Sequence, residues 1–130
     1  MKRGALTFVA VTMLIALTGC GPQPAGESGT EIISAEEALE IVASNDSAVL
    51  VDTRPFFDYG ETHVEGAVNV TRENIVVSEP FPNLVGPPEQ IEEVMGERGI
   101  GNETLVVAYD DNNNMDAARL WWTLKSSAAV

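Results

Sequence analysis

Apolar positions change their spacing several times between residues 34 and 125, and each change marks an expected element. Ser34-Ala35-Glu36-Glu37 has the form of a capping box, with a hydroxyl before the first turn and a carboxylate three residues on. Ala38, Leu39, Ile41 and Val42 then fall on one face, which predicts a helix over residues 35–43, ended by Asn45-Asp46. Ala48-Val49-Leu50-Val51-Asp52 is continuously apolar until its last residue, as suits a parallel strand covered on both faces. Ala67-Val68-Asn69-Val70 predicts a second strand, and Thr104-Leu105-Val106-Val107-Ala108-Tyr109 a third. Residues 80–88 hold four prolines and predict a loop. Pro88 opens the next helix with Glu89 near its positive end; Ile91, Val94 and Met95 form its stripe, and Gly99 follows as a C-cap. A polar loop over residues 110–114 leads into a helix expected over residues 116–125, carrying Ala118, Leu120, Trp121, Trp122 and Leu124. Strands alternating with helices predict an α/β fold, a parallel central sheet with helices on both faces.

The length of 130 residues allows one such domain. Acidic residues outnumber basic ones 20 to 7, for a net charge of −13. Beyond Lys2-Arg3 no two cations are adjacent, so the chain lacks the basic cluster that nucleic acid requires, and no nucleic-acid partner is expected. One cysteine, Cys20, and one histidine, His63, leave no intramolecular disulfide, no zinc site of several Cys or His ligands and no cofactor signature.

The N-terminus reads as an address. Lys2 and Arg3 precede an apolar run over residues 5–17, which is shorter than the about 20 residues a membrane span needs. Leu17-Thr18-Gly19-Cys20 closes it and resembles the bacterial lipobox, in which the cysteine sulfur carries lipid and becomes the new N-terminus. The expected organisation is a lipoprotein signal peptide over residues 1–19, a Pro/Gly/Ser-rich tether over residues 20–30, and a folded domain over residues 31–130. The expected location is the cell envelope, outside the cytoplasm, with lipidated Cys20 in the membrane.

Two blocks carry a family resemblance. Val51-Asp52-Thr53-Arg54 ends a strand in Asp-x-Arg, the aromatic-rich Pro55-Phe56-Phe57-Asp58-Tyr59 follows as a turn, and His63-Val64-Glu65-Gly66-Ala67 enters the next strand. This resembles the rhodanese-like domain. Residues 99–111 and Ala117-Ala118-Arg119-Leu120-Trp121-Trp122 are similar to the first, non-catalytic domain of tandem thiosulfate and 3-mercaptopyruvate sulfurtransferases. The resemblance covers roughly residues 31–125. It implies a rhodanese-like fold, C-terminally truncated because the family continues into a further strand and helix, and a second, catalytic domain as partner.

The chemistry turns on the loop Asp110, Asp111, Asn112, Asn113, Asn114, Met115. A strand-to-helix loop aims successive backbone N–H groups at one point beside a positive helix end, which makes an anion cradle. A cysteine at its first position would be held as thiolate. The resemblance implies that active relatives carry sulfur there as a persulfide. Here the position is Asp110, a poor sulfur acceptor, and Asp110, Asp111 and Asp116 place three negative charges where an anionic donor would approach. No catalytic residue is therefore assigned, and this chain alone is expected to be inactive. One reading makes it the non-catalytic half of a lipid-anchored sulfurtransferase. The alternative is a stand-alone inactive scaffold lipoprotein.

Structural roles are weighed for the remaining motif residues. Asp52 and Arg54 are expected to form an ion pair that orients loops, and His63 and Gly66 to shape the turn rather than to act on substrate. Oxygen ligands at Asp110, Asn112, Asn114 and Asp116 echo a calcium loop, but Met115 stands where its glycine belongs and Trp121 where its bidentate Glu belongs, so no metal is assigned. One of Trp121 and Trp122 is expected to pack in the core, the other to face a second domain.

Overall fold

The computed structural model describes residues 32–127. The expected signal peptide over residues 1–19, the expected tether over residues 20–30 and Cys20 lie outside them. The elements in chain order are α1 (Ala35–Ser44), β1 (Ala48–Asp52), α2 (Phe56–Glu61), β2 (Val68–Asn69), α3 (Arg72–Ile75), β3 (Val76–Val77), β4 (Leu84–Val85), α4 (Pro88–Glu97), β5 (Leu105–Tyr109) and α5 (Met115–Ser127).

β1 lies between β2 and β5 and is parallel to both. Register pairs Leu50 with Val107 and Asp52 with Tyr109. Side chains alternate across this sheet. One face carries Leu50, Ala67 and Val107 against Ala38, Ile41 and Val42 of α1. The other carries Val51 and Val70 against Ile75 of α3, Ile91 and Met95 of α4 and Leu120 of α5. Helices therefore cover both faces, and the apolar run of β1 follows from its central place.

The capping box at Ser34 forms, with Glu37 N–H donating to Ser34 Oγ at 3.2 Å and Ser34 N–H to Glu37 Oε2 at 3.0 Å. Gly99 has the left-handed φ of +72° expected after a helix end.

Several expectations are corrected. The aromatic turn after Arg54 holds a six-residue helix, α2. α3 and the antiparallel ribbon of β3 with β4 lie between β2 and α4, and β4 falls inside the proline-rich segment read as loop. Such short pieces carry too few periods to register in a hydrophobic pattern. The last helix begins one residue earlier and ends two later than expected.

Neither tryptophan is buried: Trp121 is 41% exposed and Trp122 48%. The buried residues of α5 are Ala117, Leu120 and Thr123, which places Trp122 on the opposite face and Trp121 on the flank. Trp122 instead lies under the Arg119 guanidinium, 5.2 Å from its ring centroid.

Candidate functional site

The C-terminal ends of β1 and β5 bring the two motif blocks together. Asp52, the last residue of β1, is fully buried. Its Oδ1 accepts from the Arg54 backbone N–H at 2.9 Å and from Arg54 Nε at 3.0 Å; its Oδ2 accepts from Arg54 Nη2 at 2.6 Å and from the Tyr109 hydroxyl at 2.7 Å. Burial pushes the Asp52 pKa up, but the hydrogen bonds from Arg54 and Tyr109 outweigh it and hold the carboxyl below its ordinary value. The hydrogen bond to Asp52 in turn raises the Arg54 pKa. Burial and the bond to Asp52 both raise that of Tyr109.

Two further contacts tie this centre to the segment before β2. Arg54 Nη2 donates to the Thr62 carbonyl at 2.7 Å, and Val64 N–H donates to the Tyr109 oxygen at 3.2 Å. Asn69 Nδ2 donates to the carbonyls of Asp52 and Arg54 at 2.9 and 3.0 Å, fixing the turn after β1. The Asp-x-Arg pair is thus bonded to itself, to Tyr109 and to the segment before β2.

His63 is exposed. Its Nδ1 donates to the Tyr59 carbonyl at 2.8 Å, and its ring stacks on Tyr59 at 3.9 Å between centroids. Gly66 takes a left-handed φ of +81°, and a Cβ placed there meets nothing within 4 Å. Changing Gly66 to Ala thus tests backbone strain alone. The expected loss is about 1–2 kcal/mol in urea unfolding, without a change in the near-UV spectrum.

The loop after β5 is organised by its first residue. Asp110 Oδ1 accepts from the backbone N–H of Asn112 and of Asn114, both at 2.9 Å. Its Oδ2 accepts from Asp116 N–H at 2.8 Å and Ala117 N–H at 2.9 Å. Asn113 and Asn114 adopt left-handed φ values of +54° and +62°, which short polar side chains tolerate. Burial raises the Asp110 pKa, yet the four backbone bonds outweigh it and hold the group below its ordinary value. The backbone cradle thus exists, and the chain's own carboxylate fills it.

The other carboxylates of the loop differ. Asp116 Oδ1 accepts from Arg72 Nε at 2.7 Å and forms an ion pair with Nη2 at 2.6 Å. Asp111 is exposed. Among the described residues no three His, Cys, Asp or Glu side chains converge as a metal would need. Both Asp110 oxygens face N–H donors, the reverse of cation ligation.

Open clefts flank the loop. One is lined by Arg54, Thr62, His63, Val64, Tyr109, Asp110 and Asp111. The other is lined by Thr53, Pro55, Thr71, Arg72, Glu73, Asn83, Asn112, Met115 and Asp116. Their arginines are each held by a carboxylate, Arg54 by Asp52 and Arg72 by Asp116. Sequence reasoning missed Tyr109 and Arg72 as site residues. A signal existed for Tyr109: it ends its strand where Asp52 ends the neighbouring one. Arg72 gave none, because its partner lies 44 residues away.

A model of the rhodanese-like domain matches residues 34–129. The chain belongs to the rhodanese-like family. The rhodanese-like fold is the parallel three-stranded sheet flanked by helices described above. The chain is 34% identical over 87 residues to the thiosulfate sulfurtransferase of Azotobacter vinelandii, covering 66% of this chain and 32% of that protein. It is 32% identical over 95 residues to a putative thiosulfate sulfurtransferase of Haloferax volcanii, 69% of this chain and 32% of that protein. To the 3-mercaptopyruvate sulfurtransferase of Escherichia coli K12 it is 30% identical over 70 residues, 53% of this chain and 25% of that protein. This rhodanese-like chain therefore spans a quarter to a third of the relatives it matches.

Proposed function

We propose that this chain is the non-catalytic rhodanese-like part of a lipid-anchored sulfurtransferase acting on thiosulfate or 3-mercaptopyruvate. One observation carries this reading: a carboxylate, Asp110, sits in the backbone cradle where sulfur transfer requires a thiolate, and residues 21–130 contain no cysteine. A carboxylate oxygen has no reactive sulfur to form a persulfide. The carboxylate-bound Arg54 and Arg72 leave the clefts poorly suited to an anionic donor.

A partner half is the other part of the proposal. Phe56 and Phe57 are 75% and 72% exposed at the start of α2, and Met115 is 58% exposed at the start of α5. Pro55, the residue before Phe56, and Met115 stand at the rim of one cleft together. The rim suits packing against a second rhodanese-like half, in line with the greater length of the relatives. The reading frame beyond Val130 is expected to encode a second Asp-x-Arg block and a loop that begins with cysteine.

The purified chain is expected to form no thiocyanate from thiosulfate and cyanide above a protein-free blank. Turnover well above that blank defeats the reading. Separately, changing Cys20 to Ala is expected to move the protein from the membrane fraction to the soluble fraction of its host; unchanged sedimentation with membranes counts against lipidation.

A further inference from the structure

We infer that this fold is tuned to ionic strength: its surface carboxylates repel one another and are screened by a diffuse layer of monovalent cations, so its stability rises with salt. The inference stands apart from the proposed function and concerns the whole described surface. Among the described residues 14 Asp and Glu side chains are exposed, whereas Lys125 is the one exposed Lys or Arg. The four described arginines are half-buried and engaged. Arg54 is held by Asp52 and Arg72 by Asp116. Arg98 donates to the carbonyls of Asn69 and Val94 at 2.6 and 2.8 Å, with Glu97 at 3.3 Å, and Arg119 Nη2 donates to the Asn83 carbonyl at 2.6 Å. Their charges tie elements to one another and leave the outer carboxylates almost uncompensated. The two outer helices show the consequence. Glu36 and Glu40 on α1 are four residues apart, and Glu89, Glu93 and Glu97 on α4 follow at the same spacing. Like charges at that spacing repel, and neither helix has a basic residue in its last turn.

The sign of the salt effect follows from where the charges lie. Unfolding lets the surface carboxylates separate, so their repulsion acts chiefly against the compact state. Raising salt from about 0.01 to about 0.1 M shortens the Debye length from about 30 to about 10 Å, and exposed charges feel this first. The half-buried arginine pairs are screened much less, so the attractions outlast the repulsions. Urea carries no charge, which lets ionic strength be set independently during unfolding. The urea midpoint of the full chain is measured from about 0.01 to about 0.5 M salt, with sodium, potassium and tetramethylammonium chloride in turn. It is expected to rise by at least about 0.5 M urea, alike for all three cations. A variant carrying Glu40→Gln, Glu92→Gln and Glu93→Gln removes three exposed charges with little change in helix propensity. Its midpoint is expected to start above that of the unaltered chain, and the two are expected to converge as salt rises. A midpoint of the unaltered chain that stays flat or falls with salt overturns the inference. So does a rise that depends on which cation is present, because that marks a bound ion and not screening. A variant whose midpoint follows that of the unaltered chain at every salt concentration overturns it as well.

Discussion

Replacing Asp52 with alanine is expected to destabilise the domain by about 3–5 kcal/mol, the usual result of leaving one member of a buried ion pair without the other. The Arg54 side chain is only 15% exposed, and with Asp52 gone its remaining acceptor is the Thr62 carbonyl. The Tyr109 hydroxyl also loses its acceptor, so the loss spreads from β1 to β5 and to the segment before β2. An about 5–15 kcal/mol total is typical of a domain, so this is a large fraction of it. Urea unfolding at pH 7 reads the effect as a lower midpoint with an unchanged slope. Adding Arg54→Met to the same chain is expected to recover part of the loss, because the unpaired cation is then removed as well. A loss under about 1 kcal/mol for Asp52→Ala alone would mean that the network does not hold the sheet end together.

The second large effect concerns Asp110. Its replacement by alanine leaves four backbone N–H groups at the start of α5 without their acceptor. Loss of an N-cap alone costs about 0.5–2 kcal/mol. Here one carboxylate serves more donors than a usual cap and also holds Asn113 and Asn114 left-handed, so about 2–3 kcal/mol is expected, partly offset by water. Asparagine at the same position keeps one oxygen and is expected to lose less.

The pH dependence follows with its sign. Asp52 and Asp110 both have pKa values lowered on folding, so the unfolded chain binds their protons first as pH falls. Their stabilisation is complete above the ordinary carboxylate pKa of about 3.9 and is lost as pH drops below it, through the lowered folded values. Unfolding midpoints are expected to be flat in this respect from about pH 5 to 7 and to fall below about pH 4. The Asp110→Ala chain is expected to show a shallower acid slope.

The α/β class, strands β1 and β5 and the three longer helices were legible because each carries several periods of its pattern, and β2 because it lies in the run Ala67-Val68-Asn69-Val70. The five-residue run from Ala48 to Asp52 reads as a covered strand, and the structure puts α1 on one side and α3 to α5 on the other. The short elements α2, α3, β3 and β4 were not legible. α2 is held by contacts distant in sequence, such as the Tyr59 hydroxyl donating to the Ala67 carbonyl at 2.9 Å. α3 starts on a local box, with Thr71 N–H donating to Asn74 Oδ1, yet spans only four residues. The exposure of both tryptophans was also hidden, since an aromatic pair in an apolar-looking helix does not reveal which face the neighbours cover.

At the candidate site, the loop and its acidic residues could be read off the chain, together with the idea of an anion cradle. Which atom fills it could not. Its charge alone was equally consistent with a rim position that repels an incoming anion; the structure instead turns Asp110 inward onto the backbone donors. Likewise three negative charges were expected at the loop, whereas Asp116 is matched by Arg72, a residue with no signal in its own stretch of sequence.

The most direct measurement is the titration of the Asp110 side-chain carboxyl carbon by NMR in the unaltered chain. A carboxylate held by four backbone N–H groups that outweigh its burial gives up its proton more readily than a free one. The expected result is a midpoint below about 3.9, with the Asn112, Asn114, Asp116 and Ala117 amides shifting at that same midpoint. A midpoint at the ordinary value, with those amides indifferent to it, would place the carboxylate outside the cradle and contradict the account.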